Sequence, residues 1–358
     1  MTMNQRYAVI ARTISTPLIL IAILLVIAVI AKLMGSGPFN RTIVEMLIRV
    51  MLVVGIYVFV GNSGVISFGH IGFMCLGAYA TAWMTIPPMM KQVTLNGLPD
   101  MMMQMQLPFA VSFVISGLFA AIFALIVGKI LMRLSGIAAS IATFAMLAVI
   151  NVIYSNWDSV TGGTGSIVGI PMLTGIWLGF GGAALAILIA YFYDISRSGL
   201  ALRAARDEPI AAAASGVDIE RERLIAFVIS AFVIGLAGSL YGHFLGIVTP
   251  DAFYLGTTFI TLAMLVVGGM NSLSGAVMGV VVISAVIQIL RWSEKGVDVV
   301  GAHLALPNGV QEIAIGIVMI VILIVRPQGL MRNREFTWRR WPLLKTSANG
   351  RSLAAEHK

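Results

Sequence analysis

Long apolar runs, each of a length that crosses a bilayer, occupy most of this 358-residue chain. A membrane span needs about 20 mainly apolar residues in a helix. Seven uninterrupted runs predict such spans, at residues 17–34, 42–60, 107–132, 136–154, 172–193, 224–248 and 308–325. The segments between them are short and polar, and they hold most of the basic residues.

A third span is predicted at residues 65–86, where polar residues and glycines interrupt the apolar run. Ser67, Gly69 and His70 lie in its first part, so we expect this helix to be kinked or partly unwound. Non-helical backbone at membrane depth is tolerated where it lines a cavity or is buried in protein. The three residues therefore either line a pathway or hold a kink through hydrogen bonds.

Residues 253–291 form an apolar stretch that is too long for one span. The run Gly268–Ser272 divides it into two short helices, at about 255–269 and 274–291. The whole pattern predicts an all-α polytopic integral membrane protein with about ten transmembrane helices. The range is eight to ten, because either interrupted stretch could be a re-entrant pair.

Composition agrees with this fold class, since 59% of residues are hydrophobic, 11% are charged and the mean hydropathy is +0.97. Soluble domains carry about 25% charged residues, so a soluble protein is excluded. The net charge of +8 does not indicate nucleic-acid binding. The basic residues lie in short loops and at the two ends, as membrane topology demands.

The distribution of lysine and arginine predicts the topology. With ten spans, 17 basic residues fall on the side of both termini and six on the other, so both termini are expected in the cytoplasm. The predicted organisation is a cytoplasmic segment at 1–16, a transmembrane domain at 17–331 with a cytoplasmic loop at 194–223, and a basic cytoplasmic tail at 332–358. The tail is expected to contact anionic membrane lipid.

The sequence contains no pattern typical of an enzyme. It has no metal-ligand cluster, no phosphate-binding loop, no nucleophile motif and a single cysteine, Cys75. We therefore predict no catalytic residue, no metal and no cofactor. An intramembrane enzyme would need paired catalytic groups at depth, which the spans do not offer.

Ion-coupled secondary transport is one function that a protein with this many spans could have. Ion-coupled transporters keep acidic residues or histidines inside the spans, and the candidates here are Glu45, His70 and Glu312. Glu45 lies four residues from both Arg41 and Arg49. This spacing predicts that the three side chains lie on one helix face, like a ladder, and neutralise each other's charge. This pattern favours a structural role over ion coupling.

The cytoplasmic loop at 194–223 contains a predicted short helix at about 208–215. Pro209 is tolerated in a first turn, the preceding acids suit the helix dipole, and Gly216 is a suitable C-cap. The helix either docks into a groove of another protein through its alanine face or is a solvated linker. The residues expected to form a docking site are Arg203, Arg206, Asp207, Glu208, Ala211, Ala212 and Gly216.

Glycines recur every four residues at Gly238, Gly242 and Gly246. Such a ridge of small residues lets two helix backbones approach closely. We expect it to pack within this subunit, the alternative being a contact with a partner.

Several separate motifs resemble those of permease subunits of branched-chain amino acid ABC importers, of the LivM type. The resemblance spans roughly residues 40–331, and its order along the chain matches that family. The segments that carry it are Val60–Phe73 with Gly77-Ala78-Tyr79, the loop from Arg197 to Gly216, Ala226–Pro250, Gly268–Gly275 and Arg326–Leu330.

The resemblance implies a multi-pass protein of the bacterial inner membrane that works by alternating access. Its expected partners are a second, LivH-like permease, two cytoplasmic ATP-binding subunits that dock on the coupling helices of the permease pair, and a periplasmic solute-binding protein. The resemblance implies that the coupling helix of this chain contains Glu208–Gly216. The expected solute is a branched-chain or related amino acid. Asn62, Ser63 and Val65 depart from the family pattern, as do residues 137–139, so urea, another small amide or an aromatic acid stays open as the solute.

Overall fold

The computed structural model describes residues 3–95, 97–294, 297–299 and 302–304, together with short pieces between 313 and 336. The predicted span at 308–325 lies largely outside the described residues, as does Glu312. The predicted basic tail also lies outside them, apart from Glu335 and Phe336.

Helices make up most of the described chain. In chain order they are α1 (Met3–Met34), α2 (Gly37–Ser63), α3 (His70–Thr85), α4 (Pro88–Thr94), α5 (Asp100–Gln104), α6 (Phe109–Leu131), α7 (Gly136–Asn156), α8 (Asp158–Thr161), α9 (Ile176–Ile195), α10 (Arg197–Asp207), α11 (Pro209–Ala214), α12 (Ile219–Leu245), α13 (Leu255–Gly268) and α14 (Leu273–Glu294). Two antiparallel pairs of short strands join β1 (Ile167–Val168) to β2 (Ile247–Val248) and β3 (Val297–Val299) to β4 (Ala302–Leu304).

Eight helices of the described part are long and apolar enough to cross a membrane. They are Ser15–Met34, Gly37–Ser63, Phe109–Leu131, Gly136–Asn156, Ile176–Ile195, Ile219–Leu245, Pro250–Gly268 and Leu273–Arg291. The all-α polytopic prediction is thereby confirmed. Helix α1 starts at Met3, so the segment predicted to precede the first span is itself helical from that residue.

The interrupted third span consists of an extended segment followed by a short helix. Residues Gly64–Gly69, which we call the α2–α3 break, are non-helical, and α3 then runs for 16 residues. A helix of that length is about 24 Å long, less than the roughly 30 Å of a bilayer core. The prediction of a partly unwound span is confirmed.

Contacts between loops divide the bundle into two ends. At the first, the α10 end, Arg223 donates to the Leu134 carbonyl and Arg206 donates to the Gly61 carbonyl. At the opposite end, the β1 end, β1 pairs with β2 and the Trp83 indole donates to the Val160 carbonyl. Both groupings match the predicted topology, and the assignment of the α10 end to the cytoplasm stays a prediction.

Glycines let α12 pack closely against its neighbours at the centre of the bundle. A methyl group built at Gly238 would overlap the Met74 carbonyl of α3, and one at Gly77 would overlap the Gly235 carbonyl of α12. The expected packing within the subunit is therefore present at Gly238, while Gly242 lies in ordinary contact with Ala78 and Val248. Gly246 is not on the ridge, because it follows the last helical residue and caps α12 with a φ of 74°.

The chain reverses between α13 and α14 as the glycine run predicts, and a later segment covers the turn. The Leu330 and Met331 amides donate to the carbonyls of Val267 and Gly268. The Glu335 carboxylate accepts from the Leu273 amide at 2.6 Å and from the Ser274 amide at 3.0 Å. A carboxylate at the first amides of a helix satisfies donors that have no partner within the helix.

We predict that Gly238→Ala lowers the free energy of unfolding by about 1–3 kcal/mol, because the added methyl must push α3 away from α12. Thermal unfolding of the purified protein in mild detergent measures this. Gly181→Ala is the matched control, since Gly181 also lies within a spanning helix and has no atom within 4 Å of the added methyl. Equal unfolding temperatures for both variants would contradict the close approach.

Candidate functional site

Helices α10 and α11 form a compact unit between α9 and α12. The Ser196 hydroxyl caps α10 by accepting from the Gly199 amide at 3.1 Å. Pro209 occupies the first turn of α11, and Gly216 follows that helix with a φ of 86°. This left-handed conformation favours glycine. The sequence signals for a short helix in this loop therefore correspond to the structure.

One side of this unit is exposed and apolar in part. Ile210 of α11 is 82% exposed, and the alanines that follow it in the helix, Ala211, Ala213 and Ala214, are exposed as well. We call the exposed set the docking face. Its residues are Asp207, Glu208, Ile210, Ala211, Ala213 and Ala214.

The other side of the unit is held on the end of α2 by two arginines of α10. Arg206 donates to the Gly61 carbonyl at 2.6 Å, and Arg203 donates to the Asn62 side chain at 3.0 Å. A cation at a helix C-terminus satisfies carbonyls that have no partner within the helix and suits the helix dipole. A side chain at Gly64 would collide with the aliphatic part of Arg206.

Arg203 also belongs to a polar group, the Asp194 cluster, made of Tyr57, Asn62, Asp194 and Arg203. The Asp194 carboxylate accepts from the Tyr57 hydroxyl at 2.9 Å and from the Asn62 amide at 3.0 Å. Arg203 lies 3.5 Å from the same carboxylate and donates to the Asp194 backbone carbonyl at 2.6 Å. The cluster thus joins α2, α9 and α10 at one point.

The seven residues predicted for the docking site divide into two groups. Asp207, Glu208, Ala211 and Gly216 are exposed and available to a partner. Arg203 and Arg206 point instead to α2, and Ala212 is buried at 6% exposure. The burial of Ala212 follows from the helix period, which turns one alanine of the run away from solvent.

Sequence reasoning missed the Asp194 cluster. Asp194 lies at the end of an apolar run. Charged residues are common at such membrane boundaries, so its position does not indicate a polar cluster. Asn62 stood out only as a departure from the family pattern. The signal that could have found the cluster is the pairing of this acid with an arginine one helix further along, at Arg203.

The α2–α3 break contains Ser67 and Gly69 and leads into His70. The His70 ring is 1% exposed, and its Nδ1 lies 2.7 Å from the Ser67 hydroxyl. Aromatic rings surround it at 5.3–5.9 Å, namely Phe59, Phe73 and Phe227. This enclosure favours a role for His70 in holding the start of α3, and the pathway assignment of these residues stays a prediction.

In the ladder predicted on α2, Glu45 pairs with one arginine that the sequence predicts and with a second one that it does not predict. Glu45 pairs with Arg49 at 2.6 Å, as the spacing indicates, and its second arginine is Arg291 of α14 at 3.6 Å. Arg41 lies instead over the Phe244 ring, 5.4 Å from its centroid. The expectation for Arg41 was wrong because an aromatic ring on α12 attracts its guanidinium by a cation–π interaction.

A family model described as the permease component of the branched-chain amino acid transport system matches residues 39–323. The chain belongs to this family. The match covers the described spans from α2 to α14, both arginines that hold the docking unit and the α2–α3 break. It confirms the resemblance found in the sequence motifs. No solved structure matches the chain.

Individual relatives carry the same description. The LivM permease protein of the high-affinity branched-chain amino acid transport system of Salmonella typhimurium is 28% identical over 353 residues, covering 89% of this chain and 76% of the relative. The LivM permease protein of Escherichia coli K12 is 26% identical over 353 residues, covering 89% of this chain and 76% of that relative. The Escherichia coli K12 LivH permease is 31% identical over 163 residues, covering 45% of this chain and 47% of LivH.

We predict that the Asp194 cluster acts as a unit in stability. Asp194→Asn and Arg203→Met should each lower the free energy of unfolding by about 1–3 kcal/mol, because each leaves partly buried polar groups without partners. The double variant should lose clearly less than the sum of the two. Denaturant titration of the purified variants measures this.

Asp207→Asn is the control for the Asp194 cluster, since Asp207 pairs with Arg206 at 3.0 Å but its side chain is 70% exposed. It should change the free energy of unfolding by less than about 0.5 kcal/mol. Strict additivity of the two cluster variants would show that Asp194 and Arg203 act independently.

Proposed function

We propose that this LivM-type chain is a membrane subunit of a binding-protein-dependent ABC importer of the bacterial inner membrane. It pairs with a second, LivH-like permease, and the importer has two cytoplasmic ATP-binding subunits, of which one docks on the α10–α11 unit of this chain. A periplasmic binding protein delivers the solute to the opposite end. The observation that carries this proposal is the exposed α11, held outside the spans by Arg203 and Arg206.

The solute class that the comparisons support is a branched-chain or related amino acid. Both LivM relatives are named as permeases of high-affinity branched-chain amino acid transport. Asn62 departs from the family pattern, yet its side chain bonds to Asp194 and Arg203 at the α10 end. This departure therefore concerns the support of the docking unit and gives no reason to assign a different solute.

The contacts of the docking unit suggest how its movement reaches the spans. α10 follows α9 after a single residue and bonds to the end of α2 through two arginines. A displacement of α11 therefore moves the end of α2 and the adjoining α2–α3 break. In alternating access the partner ATPases would impose that displacement, and the solute must bind the two resulting states differently.

Purification from the native membrane in mild detergent, followed by mass spectrometry, tests the assignment as a subunit. We expect a second permease of the same family and ATP-binding subunits to accompany this chain. Recovery of the chain by itself, with uptake persisting in vesicles that lack ATP, would contradict the proposal and favour ion-coupled secondary transport.

The docking face offers a sharper test in cells. Ile210→Asp and Ala211→Arg should abolish uptake and co-purification of the ATP-binding subunits at unchanged protein level, because both side chains point to solvent. Ala212→Arg is the contrasting variant, since Ala212 is buried, and it should lower the protein level itself. Normal uptake by both exposed-site variants would remove the docking assignment.

A further inference from the structure

A charged cavity lies between α2 and α14, towards the β1 end of the bundle. Arg206 bonds to both Gly61 and Asn271, so α2 ends and α14 begins at the α10 end. The first half of α2 and the second half of α14 therefore lie together at the opposite end. They surround a cavity of about 200 Å³ that is partly open to its surroundings. Polar and charged side chains form most of its lining, namely Thr42, Glu45, Arg49, Ser284, Gln288 and Arg291.

The charged residues of this cavity on α2 lie at membrane depth. Arg49 lies about 18 Å along the helix from Gly61, and Glu45 lies about 24 Å from it. The core of a bilayer is roughly 30 Å thick, so both residues lie within the stretch of α2 that crosses it. Charged side chains are costly at this depth, and they are kept where they pair with one another or face a functional cavity.

The described lining of the cavity supplies one negative charge for two positive charges. The Glu45 carboxylate accepts from Arg49 at 2.6 Å and lies 3.6 Å from Arg291. The two arginine side chains are only 19% and 38% exposed. One excess positive charge is therefore removed from much of the bulk water. Such a charge lowers stability unless an ion of opposite sign compensates it, and an anion in the cavity would do so.

A buried hydroxyl adds a free donor to the cavity. Ser284 is 8% exposed, and within the described part of the chain its Oγ has no hydrogen-bond partner. One turn further along α14, the Gln288 side-chain oxygen accepts from the Thr42 hydroxyl at 3.0 Å, a bond that does not use the Gln288 NH₂ group. Guanidinium, hydroxyl and amide donors around one space match the acceptor oxygens of a carboxylate or a phosphate.

We propose that this cavity, which we call the α2–α14 anion site, binds one anionic oxygen group through Arg49, Arg291 and Ser284. The group enters from the open side, while the rest of the ligand stays outside the cavity. Two sources supply such a group at this end of the bundle: the phosphate of an anionic phospholipid and the carboxylate of the amino acid that the importer carries. The second source rests on the proposed function, and the first does not.

Arg41 provides a matched control for the charge of this site. It lies on the same helix, two turns before Arg49, and it is exposed. Its guanidinium lies over the Phe244 ring, and it does not belong to the lining of the cavity. Arg41→Gln therefore removes a positive charge from the same end of α2 without removing a donor from the site.

Thermal unfolding of the importer, purified in detergent through this chain, tests the site. The unfolding midpoint is measured against rising concentrations of two pairs of probes. Phosphatidylglycerol is compared with phosphatidylcholine, whose choline neutralises the phosphate, and leucine is compared with leucinamide, which has no carboxylate. A ligand that binds the native protein raises the midpoint with its concentration, so each variant yields an apparent affinity.

We expect phosphatidylglycerol or leucine to raise the midpoint of the wild-type importer more than its uncharged counterpart does. Arg291→Gln should weaken that binding about 10-fold and Ser284→Ala about 3-fold, because each removes a donor from the anion. Glu45→Gln should instead tighten it, since the competing carboxylate is gone, and a purely structural ion pair does not predict this gain. Arg41→Gln should leave the affinity within about 2-fold of wild type.

The pair of probes that shows this pattern identifies the source of the group as lipid or solute. Equal shifts from both members of each pair would overturn the site, and so would equal effects of Arg291→Gln and Arg41→Gln. If Arg291→Gln lowers the protein level, Ser284→Ala decides, because it leaves the Glu45–Arg49 pair in place. If no ATP-binding subunit co-purifies, the proposed function and the solute source fail. The phospholipid pair, measured on this chain alone, then still decides whether the anion site exists.

Discussion

The structure depends on one constraint: lipid offers no partner to a backbone amide or carbonyl, so the chain must satisfy these groups itself. Long helices meet that constraint along most of the described chain. Two interruptions at the α10 end do so differently. At the turn between α13 and α14, Glu335 and the segment around Leu330 supply the missing partners. At the α2–α3 break, among the described residues, the Gly64 amide donates to the Val60 carbonyl and the Phe68 amide donates to the Thr143 hydroxyl.

Arginine side chains connect these interruptions to the loop outside the spans. Arg206 reaches both the end of α2 and the Asn271 side chain beside the α13–α14 turn, while Arg203 reaches Asn62 and Asp194. A docking unit fixed at several points moves as one body with the ends of the spans. The glycine contacts between α3 and α12 leave little room for these two helices to shift independently, since they pack closely there.

Uninterrupted apolar runs predicted the spans of the described part closely, because a helix that crosses lipid needs a long apolar segment. Glycine and proline positions likewise predicted the α2–α3 break, the turn at Gly268 and the short helix that ends before Gly216. Pairing between helices was beyond prediction: Arg41 lies on Phe244 and Glu45 finds Arg291. Which side chains meet across two helices depends on their rotation and axial offset, and a single sequence does not specify either.

ATP-dependent uptake in proteoliposomes tests the central claim most directly. The importer purified through this chain is reconstituted with its solute-binding protein, and labelled leucine, isoleucine and valine are offered with ATP or a non-hydrolysable analogue on the ATPase side. Our account predicts accumulation only when both the binding protein and hydrolysable ATP are present. Accumulation driven by a proton or sodium gradient without ATP would contradict it.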